Sequence, residues 1–237
     1  MISSENRNAI FQHQDVHKQA IAWRDERIAM HNNDETPVQL KSGPRVYIHG
    51  FPIGLSDEAL PLHTATASLL QEASSIRIRI RRDFHGAYLH NGTETSPPTH
   101  FEAWMNTGAF EFARNLNVLA SGENSVTSGR TLETWIQEAA TKHIPVIESV
   151  TGPSAWLVMV SLREVKDLVV EYFDEEHFHW KDDGKPAFTS QKISCIPLDL
   201  PRCPTDTVGW IGAFKPVFDR IAQAANRAGS PDWRRKP

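Results

Sequence analysis

His177 and His179 stand one residue apart in Asp174-Glu175-Glu176-His177-Phe178-His179-Trp180. On a strand both imidazoles would point the same way, with Glu175 following the same alternation, and such a set could supply ligands to zinc or iron. The motif lacks its other half. No later His or Glu stands at a ligand-like spacing, and the acid-rich neighbourhood with Lys181-Asp182-Asp183-Gly184 reads more simply as a solvated hairpin tip. The second chemistry-bearing stretch is an arginine row in which Arg77, Arg79 and Arg81 alternate with Ile76, Ile78 and Ile80, and Arg82 follows. A half-buried strand of this pattern presents its guanidinium groups on one face, about 7 Å apart. Such a row suits the phosphates of a nucleic acid or nucleotide. It also suits an edge strand whose charges block edge-to-edge association.

His49 closes the clearest strand of the chain, Arg45-Val46-Tyr47-Ile48-His49-Gly50-Phe51-Pro52, which is framed by Gly43-Pro44 and rich in β-branched and aromatic residues. A His-Gly corner after a strand can place a backbone N–H beside a nucleophilic serine, but that arrangement needs a downstream Gly-x-Ser-x-Gly elbow. The nearest approach, Gly152-Pro153-Ser154-Ala155-Trp156, puts Trp156 where the second glycine must stand. His49 therefore reads as a hydrogen-bonded structural residue, since no neighbouring Ser, Cys or carboxylate orients it as a base.

These residues must be held by a chain of 237 amino acids, long enough for one large domain or a medium domain with appendages. The formal charge of −4 is too small for a general binder of nucleic acid or anionic membrane, so any basic surface is local. Cys195 and Cys203 have no further cysteine partners, which excludes a four-cysteine zinc site and fits a reducing cytoplasm. No apolar run reaches signal-peptide or transmembrane length, and the expected setting is cytoplasmic, without membrane contact. No cofactor is indicated.

The periodicities predict an α+β fold, a mainly antiparallel sheet with flanking helices. A long amphipathic helix is expected from Glu5 to about His31, with a break near Asp15, through Ile10, Val16, Ala20, Trp23 and Ile28. Asn106-Thr107-Gly108 marks a hairpin, Thr131 to His143 a helix stopped by Pro145, Trp156 to Leu162 a central strand, and Phe214 to Ala228 a closing helix with Pro216 in its first turn. The domain organisation expected is a helical segment over 1–34, an α+β domain over 35–229 and a tail over 230–237.

The succession of these motifs resembles the region that follows the AlbA_2 domain in bacterial Schlafen-type AlbA_2-domain proteins, described as ATP-binding or DNA-binding. Met1, Arg7 and Phe11 look like the remnant of the domain boundary. Trp23-Arg24, Arg27-Ile28, Pro37, Leu40, Gly43-Pro44, His49 and Pro52 follow the family order. Asp83-Phe84-His85-Gly86 is similar to the family's Asn-Phe-Asp-Gly with two substitutions. Asn106, Gly108 and Glu111 look like a strand that has lost its arginine. Ser161-Leu162 with Val165-Lys166, and Pro216-Val217-Phe218-Asp219, match later blocks. The AlbA_2 domain itself is missing from this resemblance, so no catalytic residue carries over. What it implies is a non-enzymatic regulatory or assembly module in a nucleic-acid-sensing or phage-defence system; the alternative, read from the histidine pair itself, is a metal-dependent hydrolase or nuclease on His177 and His179. Ile10, Phe11, Trp23 and Ile28 give the first helix more apolar surface than an isolated polar helix needs. They are expected to face an AlbA_2-like domain protein or a second copy of the chain, with nucleic acid as a further partner at Arg77, Arg79, Arg81 and Arg82.

Overall fold

The computed structural model describes residues 4–54, 60, 64–74, 76, 80–82, 86–121, 124–172 and 187–230, with the side chains of 4–14, 64–65 and 121 outside that description. The fold is α+β. In chain order the elements are α1 (Ser4–Asn32), β1 (Arg45–Ile53), α2 (Thr64–Ala73), β2 (Arg81–Arg82), β3 (Gly86–His90), β4 (His100–Met105), β5 (Phe110–Asn115), β6 (Leu119–Ser121), β7 (Asn124–Ser128), α3 (Gly129–Thr151), β8 (Ala155–Arg163), β9 (Val169–Glu171), β10 (Lys192–Ser194), β11 (Leu198–Leu200) and α4 (Thr207–Ala224). The main sheet runs β10-β8-β1-β5-β4-β3-β2, with β11 also on β8, and its pairings are antiparallel. A smaller sheet has the order β6-β7-β9, with β7 and β9 parallel.

β1 sits at the centre, and both of its faces are covered, which explains why Val46, Tyr47 and Ile48 are all fully buried although they alternate sides. One face packs Val46, Ile48, Phe110, Phe112, Trp104 and Val160 against the inner stripes of α2, α3 and α4. The other carries Tyr47, Phe101 and Ala113 under Ile28 of α1, and Leu157 and Met159 under Ala20. At Gly50 the Phe110 ring occupies the space a side chain would need, since a Cβ there would lie 2.0 Å from Phe110 Cε1. The expected hairpin joins β4 to β5 through Asn106-Thr107-Gly108, with Gly108 at φ 85° and a Met105 N–H to Ala109 O bond of 2.8 Å.

Three helices depart from expectation. α1 runs unbroken past Asp15 for 29 residues, about 44 Å at 1.5 Å per residue. α3 continues through Pro145 to Thr151. An interior proline costs about 3 kcal/mol; fully burying Ile144 and Ile147 on either side contributes about 1.5–3 kcal/mol each, enough to carry the helix across. α4 begins at Thr207, where Asp206 Oδ1 accepts from the Gly209 N–H at 2.7 Å, so Pro216 lies mid-helix. There the rings of Trp210, Phe214 and Phe218, four residues apart, stack at 6.1 and 5.8 Å and hold the helix on the core. The small and polar stretch around 119–128 forms β6 and β7, too short to announce themselves by alternation.

Candidate functional site

Among the described residues, buried acid–base side chains gather at two places, one on each face of the main sheet, and His17 meets Asp199 at 2.9 Å on the surface. Under α1, Glu111 of β5 is fully buried; its Oε2 accepts from Arg27 Nε at 2.8 Å and meets Nη2 at 2.7 Å, while Oε1 lies 2.7 Å from His31 Nε2. His49, the register partner of Glu111 on β1, has Nε2 at 3.6 Å from Oε1, beyond hydrogen-bond range, and neither ring nitrogen has a hydrogen-bond partner among the described residues. Trp23 closes over it edge-on at 5.4 Å. Burial pushes the Glu111 carboxyl up, but the charges of His31 and Arg27 and the His31 hydrogen bond outweigh it and hold the group well below the carboxylate range. Burial dominates at His49 and lowers its pKa against the pull of Glu111, which favours the neutral ring.

On the opposite face, Glu102 of β4 has Oε1 at 3.0 Å from His100 Nε2 and Oε2 at 3.5 Å from His143 Nε2 of α3. Trp104 Nε1 donates to His143 Nδ1 at 3.3 Å. Burial acts to raise the Glu102 pKa, yet the His100 hydrogen bond, the neighbouring imidazoles and Ser74 bring it down to about 2. His143 is lowered by burial. Both clusters contain the base and carboxylate of acid–base chemistry, but Glu111 and His49 side chains have no exposure, and Glu102 and His143 have 2 and 3 %. They fasten α1 and α3 to the sheet. A reacting atom has no approach to them in this conformation.

An open site lies elsewhere. A groove of about 980 Å³ runs between the end of β5, the small sheet and the start of α3. Ser128 caps α3, its Oγ accepting from the Thr131 N–H at 3.1 Å, so the positive end of the helix dipole points along one wall. Arg114 forms the floor, its guanidinium carbon 3.8 Å from the centroid of the Trp135 ring. Burial lowers the Arg114 pKa, opposed by Glu138 and Glu102. Lys41 and Glu171 line the groove, and Val118 and Leu119 stand on its rim at 37 and 70 % exposure. The chemistry on offer is binding: one oriented cation, a helix N-terminus and an apolar rim.

The residues singled out from sequence are scattered. Arg81 and Arg82 are exposed on β2, at one edge of the main sheet. Ile76 is buried and Ile80 packs on the core, but neither lies in a strand; among the described residues of the expected strand only Arg81–Arg82 is one. Arg77 and Arg79 lie outside the described residues, as do His177 and His179. Among the described residues, no group of three or more His, Cys, Asp or Glu could hold a metal ion. Ile28, expected at an interface, is instead 3 % exposed, packed on Leu40, Tyr47, Phe101 and Ala113 of its own core. Trp23 is half-buried against His49 and Phe51; the side chains of Ile10 and Phe11 are outside the described set. His49 does meet a carboxylate, Glu111, that sequence proximity could not reveal. The signal for the two buried acids was present: Glu102 and Glu111 each interrupt an apolar strand, where an unpaired charge would be costly. No helix of the described residues is long and apolar enough to cross a membrane. Searches against family models, curated proteins and solved structures found no match for this chain.

Proposed function

We propose that this chain is a non-enzymatic regulatory or assembly module that works by docking, in a cytoplasmic nucleic-acid-sensing or phage-defence system of bacteria. The bacterial setting follows the resemblance to the region after an AlbA_2 domain. The observation that carries the non-enzymatic part is the separation of chemistry from access. The imidazole–carboxylate clusters around Glu111 and Glu102 are sealed inside, and the exposed pair, His17 with Asp199 at 2.9 Å, joins α1 to β11 outside the groove, while the groove itself is lined by groups that bind. The partner proteins in this reading are an AlbA_2-like domain or a second copy of the chain, with nucleic acid met along the arginine row.

Turnover decides it. Single-stranded and duplex DNA and RNA, and nucleoside triphosphates, incubated with the protein and with magnesium, manganese or zinc, are expected to remain intact. Metal-dependent cleavage that disappears in the His177→Ala, His179→Ala variant would establish the hydrolase instead, as would stoichiometric metal in protein purified without chelator and lost in that variant.

A further inference from the structure

Arg114 in the groove is positioned but not used by the fold. Its side chain makes no hydrogen bond or ion pair among the described residues, though Glu138 and Glu102 act on its charge, and its guanidinium carbon lies 3.8 Å from the centre of the Trp135 ring. A stacked guanidinium is held in one orientation with its N–H edge free, which suits two-pronged recognition of a carboxylate. Beside it, β6 is paired only with β7 among the described residues, leaving its other edge available. An unpaired strand edge is a template for a further strand. Leu119, on that strand, and Val118, just before it, supply apolar surface without a partner.

We propose that this groove docks an extended segment of a partner polypeptide, added as a strand along β6, with a carboxylate of the segment on Arg114 and apolar side chains against Val118 and Leu119. The occupant is acidic because the side chains lining the groove set Arg114 and Lys41 beside the start of α3 against Glu171 alone; Glu138 and Glu102, which also act on Arg114, lie outside the lining, Glu138 with Lys142 at 3.4 Å and Glu102 buried beside His100 and His143. It is polypeptide, because single-stranded nucleic acid is bound through several cations and open aromatic faces. Here the lining cations are Lys41 and Arg114, and the lining aromatic, Trp135, is 8 % exposed with Arg114 across its face. The inference deepens the module reading and rests on it.

The test uses random dodecapeptides displayed on phage and selected against the full chain. Enriched sequences are expected to carry Asp or Glu, or a free terminal carboxylate, flanked by apolar residues at alternate positions. A synthetic copy should bind at least about tenfold more weakly to Arg114→Gln, the loss of a charge-assisted pair. The same direction is expected for Leu119→Glu, whose side chain is exposed and whose substitution leaves the core untouched. Hydrogen exchange should slow at residues 117–121 when the peptide binds. Selection that enriches nothing, peptides without a carboxylate, affinity unchanged in both variants, or absence of protection at 117–121 would each overturn the proposal. So would a single-stranded oligonucleotide that protects 117–121 and depends on Arg114 while peptides do not bind. The turnover assays judge the non-enzymatic reading separately, so the two can fail independently.

Discussion

Replacing Glu111 by Gln keeps the shape of the side chain and removes the charge to which Arg27 and His31 are bound. Arg27 has 12 % side-chain exposure and approaches Glu111 through two nitrogens at 2.7 and 2.8 Å, so the substitution strands a buried cation. Removing one partner of a buried pair costs about 3–5 kcal/mol. That is a large part of the roughly 5–15 kcal/mol by which a domain is stable, and it corresponds to a fall of about 10 °C in Tm for a chain of this size. The effect should be local before it is global. Hydrogen exchange in residues 16–31 of α1 should accelerate more than in β1 or β8, because α1 is the element Glu111 holds. Denaturant unfolding followed by circular dichroism measures the loss, and the double variant Glu111→Leu, Arg27→Met separates charge from packing. With both charges gone, the double variant should be more stable than Glu111→Gln. A loss under about 1 kcal/mol for Glu111→Gln, or equal acceleration of exchange throughout the sheet, would refute the assignment of this cluster as the fastener of α1.

Acid should act through the same groups. His49 and His143 are held below 6.5 in the folded protein, Glu102 at about 2 and Glu111 well below 4.5. A depressed folded pKa means the unfolded chain binds protons first, so stability is full above these ordinary values. It declines as pH falls below 6.5, and more steeply from 4.5 towards 2; urea midpoints that stay constant into the carboxylate range would contradict this. Gly50→Ala must displace the Phe110 ring and is expected to cost about 1–3 kcal/mol in urea denaturation, with an unchanged midpoint arguing against the packing described. Replacing Arg77, Arg79 and Arg81 with Gln should flatten the salt dependence of nucleic-acid binding if they contact phosphates, and an unchanged slope would leave them as edge charges. Phe11→Glu should dissociate a self-assembled form in light scattering across a dilution series while circular dichroism stays unchanged; assembly that persists would move the contact elsewhere.

Local pattern carried the architecture well. Val46-Tyr47-Ile48 and Trp156 to Val160 are unbroken apolar runs because β1 and β8 are covered on both faces, and Asn106-Thr107-Gly108 needs only local geometry to turn the chain. Pro145 and Pro216 misled for one reason: a proline's local penalty is visible in sequence, whereas the burial of Ile144, Ile147, Phe214 and Phe218 that offsets it is tertiary. The groove was illegible. Arg114 is the last residue but one of β5 and Trp135 lies in the second turn of α3, and their contact exists only after the small sheet has set the start of that helix beside the large one. Ile28 shows the opposite error, since an apolar residue on a polar helix looks like a docking anchor until the sheet beneath it is known.

The placement of β1 has a consequence for how the chain acquires its structure. Arg45 pairs with Arg163 and Ile53 with Ala155, so the middle of the main sheet closes only after most of the sequence exists. Loop entropy penalises so distant a pairing mildly, at about 0.6 kcal/mol for each doubling of loop length, but the delay matters more. Until β8 arrives, a growing chain or a fragment ending before Ala155 holds β1 against β5 with its other edge bare, and that edge belongs to the most apolar strand of the first half. Intermediates of that kind pair with one another. The protein should therefore refold poorly from high concentration, and splitting it before β8 should yield insoluble material, even though the finished fold buries that edge completely.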